Sequence, residues 1–143
     1  MKKILLSLIT LQCGVTLATS VQAQTVFQCT TQNHKVIKAV DAGKNIQYSF
    51  GKSTATPELA LSIPRNRVTT SQWTGIGRDE GYSIQIPNGN TTYEVFHTFD
   101  KITRQKSAGV NVMQKDQLLA TVNCDPSKPM INKLQGIKLR SEF

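Results

Sequence analysis

Between residues 45 and 99, four runs carry apolar side chains at every second position, and this alternation limits the chain to half-buried β-strands more firmly than any other feature. "NIQYSFG" sets Ile46, Tyr48 and Phe50 on one face, and "ELALSIP" does the same with Leu59, Leu61 and Ile63. A strand turns successive side chains to opposite faces, so a period of two builds one dry face and one wet face. "GYSIQIP" repeats the pattern with Tyr82, Ile84 and Ile86. "TTYEVFHTF" returns it through Tyr93, Val95, His97 and Phe99 after Asn88-Gly89-Asn90. Asn-Gly between alternating runs is a strong hairpin signal.

The same reading gives strands at "TVFQC" and "HKVIKAV", and a second hairpin from "AGVNVM" and "QLLATVNC" around Lys115-Asp116. No segment carries a helical stripe. About eight short strands with turn chemistry between them predict an all-β fold, a single antiparallel barrel or sandwich. The prolines between Asp125 and Pro129 end the last hairpin, and "GIKLRSEF" is read as a short strand or turn covering an edge.

The start of the chain sets the compartment. Met1-Lys2-Lys3, the apolar run Ile4 to Leu11 and the small-x-Ala exit Val21-Gln22-Ala23 have the layout of a secretory signal peptide. The predicted organisation is a leader over 1–23 and one domain over 24–143, periplasmic or secreted and without a stable membrane span. Gln12 stands where a lipoprotein signal needs a small residue, so Cys13 is not read as a lipidation site. The predicted domain then keeps two cysteines, Cys29 and Cys124. In an oxidising compartment an even count reads as a disulfide, and no C-x-x-C redox motif is present.

Chemistry is sparse. His34 and His97 fall in different strands, with no partner histidine or cysteine at metal-site spacing. His97 alternates with Val95 and Phe99 and is expected to be a half-buried face residue. There is no G-x-S-x-G elbow, and no glycine-rich phosphate loop with a following lysine. The chain reads as a binding protein, not an enzyme, needing neither metal nor cofactor.

Two stretches are composed for recognition. "SQWTGIGRDEGY", residues 71–82, gathers the sole tryptophan, three glycines and three charges. Its candidate binding residues are Trp73, Arg78, Asp79, Glu80 and Tyr82: an aromatic anchor, a planar donor fork and acceptors. Its glycines also suit a plain connection between strands, since they permit positive φ. The second stretch, "DKITRQK", offers Lys101, Arg104 and Lys106 as a basic surface. The formal net charge is +8, and +6 once Lys2 and Lys3 leave with the leader. Such a surface favours anionic glycan, lipid or an acidic protein; nucleic acid is not expected in this compartment.

A leader followed by "VFQC", an all-strand body with a glycine-rich loop in its middle, and a closing "ATVNC" resembles the small periplasmic lysozyme inhibitors of Gram-negative bacteria. The likeness spans most of residues 26–124 and lies in layout. It implies an eight-stranded antiparallel barrel with a disulfide, which plugs the cleft of a cell-wall hydrolase through its loops. Of that family's Ser-Gly-x-x-Tyr signature, "RDEGYS" carries only Gly81-Tyr82. The partner expected on these grounds is a protein, a cell-wall hydrolase or toxin, with an anionic envelope polymer as the alternative.

Overall fold

The structure, a computed structural model, describes residues 13–143. The basic start and apolar run of the predicted leader lie outside the described residues. Residues 13–23 are exposed and have no regular secondary structure. Among the described residues no helix is long and apolar enough to cross a membrane.

The body is all β, in two sheets. The first runs in the order β10-β1-β2-β3-β4, built from β1 (Gln24–Thr30), β2 (Lys35–Asp41), β3 (Asn45–Lys52), β4 (Leu59–Pro64) and the short β10 (Ile131–Asn132). The second runs β11-β5-β6-β7-β8-β9, from β5 (Thr69–Gln72), β6 (Asp79–Asn88), β7 (Thr91–Asp100), β8 (Lys106–Gln114), β9 (Gln117–Asn123) and the short β11 (Arg140–Ser141). A single 3-10 turn, Arg65–Arg67, carries the chain from one sheet to the other. Among the described residues the strands form two separate sheets with no closed barrel, an arrangement compatible with the sandwich alternative of the expected all-β fold.

The alternating residues behave as their spacing requires. Ile46 and Tyr48 on β3, Ile84 and Ile86 on β6, and Val95 on β7 are buried together with Phe27, Ile37 and Val110. Stacked rings of Tyr48 and Tyr93, 5.3 Å apart, join the sheets. Burial raises the Tyr48 hydroxyl far above its usual range, with the Tyr93 hydroxyl adding to the effect. A shift in register between Thr25 and Phe27 lets the neighbours Val26 and Phe27 both turn inward, which a regular strand forbids. Lys115 and Asp116 both adopt positive φ and make the tight β8–β9 turn.

Two strands, β5 and β10, exceed the expected set, and β11 is the short strand expected in "GIKLRSEF". β5 is polar, "TTSQ", and lacks an apolar alternation; its buried Thr70 is satisfied by donating to the Ser83 carbonyl at 2.7 Å. β10 and β11 belong to the segment after Pro129. That segment works as a seam: β10 pairs with β1 in the first sheet, and β11 pairs in parallel with β5 in the second. Between them Leu134 is fully buried, and Gln72 clamps the crossing by donating to the Leu134 carbonyl at 2.9 Å and accepting from Gly136 N at 2.8 Å. The final strand therefore does cover an edge, that of β5.

At the other end of the second sheet, Cys124 bonds Cys29 with their Cα atoms 5.7 Å apart. The disulfide is reinforced by Asp125 N donating to the Thr30 carbonyl at 2.8 Å. It thus ties the first strand of one sheet to the end of the last long strand of the other.

Candidate functional site

The structure shortens the predicted recognition loop. Ser71 and Gln72 belong to β5 and Asp79–Tyr82 to β6, leaving only Trp73–Arg78 as the connection. Gly75 and Gly77 take φ of +93° and +104°, and the Trp73 indole N–H donates back to the Ile76 carbonyl at 2.9 Å. The glycines do supply backbone geometry, and they also push Ile76 outward, 83% exposed.

Antiparallel register decides what stands beside this loop. β6 begins where β7 ends, Asp79 opposite Asp100, so the β5–β6 loop and the β7–β8 turn emerge at the same end of the sheet. The two stretches singled out separately in the sequence are one surface. Lys101 Nζ sits 4.4 Å from the centre of the Trp73 ring, within cation–π range. Lys101 N donates to the Arg78 carbonyl at 3.1 Å, so the loops are joined through the main chain as well.

Asp100 is the hub, and it was not among the expected residues. Its carboxylate accepts from Ile102 N at 2.9 Å and Thr103 N at 3.1 Å, which folds the β7–β8 turn. It also takes Arg78 in a two-pronged pair, with Nε at 2.9 and 3.0 Å from its two oxygens. The cross-strand neighbour of Asp100 is Asp79, a like charge, and Arg78 neutralises that repulsion. The signal was present in "FDKITR", an aspartate one residue before a polar turn, but its pairing with Arg78 depends on a register that sequence spacing does not reveal.

The remaining expected residues divide. Glu80 and Tyr82 share the face of β6 that carries the buried Ile84 and Ile86; Tyr82 packs against the core and donates to Glu80 at 3.0 Å. They line the flank of the site, whereas Trp73, Arg78 and Lys101 form its crest. Arg104 stacks over Phe99 at 5.8 Å. Lys106 stands across from Phe99 in the β7–β8 register. Ile102, missed from sequence, is 73% exposed at the second tip. The site is therefore two braced loops, each ending in a bare isoleucine and surrounded by cations.

No family model, curated protein or solved structure matches this chain. Among the described residues no group of three or more His, Cys, Asp or Glu side chains is placed to hold a metal ion. His97 is half-buried on the Val95 and Phe99 face as its spacing predicts, and burial together with nearby Lys106 lowers its pKa against the opposing effect of Glu80.

The brace has a pH signature. The Arg78 guanidinium beside Asp100 holds that carboxyl well below the usual carboxylate range, with the turn amides helping. A depressed pKa contributes stability that is full above the ordinary value near 4 and is lost as pH falls from there through the folded value. Fluorescence of Trp73, the sole tryptophan, is expected to stay constant from pH 7 to about 4 and to change only in stronger acid. Asp100→Asn should show the acid-type spectrum already at pH 7; an unchanged Asp100→Asn spectrum would mean that Asp100 does not set the Trp73 environment.

Proposed function

We propose that the paired loops are a protein-binding surface through which this chain, exported to the periplasm, occludes a cell-wall-degrading enzyme without catalysing a reaction itself. The supporting observation is the braced pair of tips. Two branched aliphatic side chains, Ile76 and Ile102, stand in water on loops locked by Asp100, Arg78 and the Trp73–Lys101 stack. Exposed apolar groups add little to folding, but they gain about 25 cal/mol per Å² when a partner covers them. Loops already fixed in shape also lose little entropy on docking.

The sign of the charge is compatible with such a partner at short range. Glycoside hydrolases of the usual kind work with a pair of carboxylates in the cleft. A tip carrying Lys101 and Arg104, which form no ion pair among the described residues, complements that pair, even where the two proteins repel at long range.

Titration of the oxidised protein against lysozymes of several types, followed by cell-wall lysis, should show stoichiometric loss of activity with at least one. Trp73→Ala should weaken that inhibition by about 2 kcal/mol or more, as expected for an aromatic anchor at the centre of an interface. Inhibition that survives Trp73→Ala unchanged would remove the loop from the site.

A second reading, binding of anionic glycan or lipid, is favoured by one observation: Lys101, Arg104 and Lys106 make no ion pair among the described residues. On that reading, charge reversal at these three positions abolishes binding and Trp73→Ala does not. Affinity would also fall steeply with salt.

A further inference from the structure

A cavity of about 380 Å³ opens beside the disulfide, between the ends of β7 and β8 and the segment that follows β9. Its wall combines His97, Lys106 and Lys128 with an apolar surface from Ala108, Cys124 and Met130. We propose that this cavity is a binding site for a small carboxylate with an apolar body, distinct from the Trp73–Lys101 crest although it shares Lys106 with the basic surface.

The charge balance selects the anion. Lys106 and Lys128 form no ion pair among the described residues. The one carboxylate in the wall, Asp125, is already engaged: one of its oxygens accepts from Ser127 N at 2.9 Å and Ser127 Oγ at 2.7 Å, closing the turn that carries Lys128. Two lysines facing one committed carboxylate leave the cavity with an excess positive charge. Burial and Lys106 both disfavour the charged form of His97, against the opposing effect of Glu80, and hold its pKa below the ordinary imidazole value. His97 therefore serves as a hydrogen-bonding group, not as a third cation.

Size and lining select the rest of the ligand. The volume falls at the lower end of the range for small-molecule sites, which are mostly apolar with a few placed polar groups. The apolar side contains the disulfide and Ala108, both held by the covalent tie and by Cys124 N donating to the Ala108 carbonyl at 2.8 Å. That wall is thus preformed. A ring or short aliphatic chain fits against it while its carboxylate faces the lysines.

The test is a titration of the oxidised protein with benzoate and with benzamide, its neutral counterpart, followed through the His97 ring proton and the Met130 methyl resonance. Benzoate should shift both resonances saturably, and benzamide should bind at least ten-fold more weakly. Both lysines are exposed, so a Lys106→Gln/Lys128→Gln double variant should retain the native amide spectrum and lose at least ten-fold in benzoate affinity. Absence of a saturable shift at His97 and Met130, equal affinity for benzoate and benzamide, or unchanged benzoate affinity in the double variant would each overturn the assignment.

Discussion

Replacing Cys29 and Cys124 together by serine is expected to lower the free energy of unfolding by about 4 to 5 kcal/mol, the largest effect of any double substitution considered. The bridge spans 95 residues, so in the chain-entropy account it removes a large share of the freedom of the unfolded chain. A domain of this size has only about 5 to 15 kcal/mol in total. The bridge also anchors the end of β9, whose side chains are mostly exposed and which gains little from burial. Urea unfolding of the oxidised protein and of the double variant measures the difference directly. A loss under about 1 kcal/mol would show that pairing of Thr31 with Cys124 and the Asp125–Thr30 bond hold the corner without the covalent tie.

Gly109→Ala should be costly for a related reason, about 3 kcal/mol, at the upper end of what overpacking usually produces. Gly109 sits in β8 between Phe96 of β7 and Asn123 of β9. A Cβ there would overlap the Val122 carbonyl oxygen and lie 3.0 Å from the Asn123 Cα. Both are backbone atoms of β9, so relief requires the strand to move. That movement would draw Cys124 away from Cys29, and the variant should also form its disulfide more slowly on refolding. Gly81→Ala is the matched control. Its Cβ would meet only a Thr98 methyl at an ordinary 3.5 Å, and its stability should be unchanged or slightly raised. Equal stability of the two variants would mean that β9 shifts freely and that the close approach carries no energy.

The strand cores were legible because burial and alternation are the same statement. Ile46 and Tyr48, and Ile84 and Ile86, had to share faces once they lay in strands, and the disulfide followed from the two cysteines that remain once the predicted leader with Cys13 is set aside. β5 was hidden because Thr70 and Gln72 are held by hydrogen bonds in place of apolar packing. Of the closing seam, the edge-covering strand at "GIKLRSEF" was legible as β11, whereas β10 was hidden because a two-residue strand takes its structure from the edge it covers, not from its own composition.

The candidate site was half legible. Trp73, Arg78, Lys101 and Arg104 were visible as residues suited to recognition, yet in two separate stretches. What joins them is the β6–β7 register, which sets Asp79 across from Asp100 and brings the Trp73 loop against the Lys101 turn. Ile76 and Ile102 gave no signal, since a single isoleucine in a loop reads as ordinary until its exposure is known. Glu80 and Tyr82 looked equivalent to Asp79 in the sequence, but strand parity sends them to the core side.

The most direct test of the loop crest as a docking surface uses the single tryptophan as its own reporter. With 5-fluorotryptophan at position 73, the fluorine resonance of the oxidised protein is followed as lysozymes of several types are added. A saturable shift reaching its end point at one equivalent, with the enzyme that loses lytic activity, is the predicted result. A resonance that stays in place with every lysozyme, or that fails to move while lysis is inhibited, would contradict the proposal that this crest does the binding.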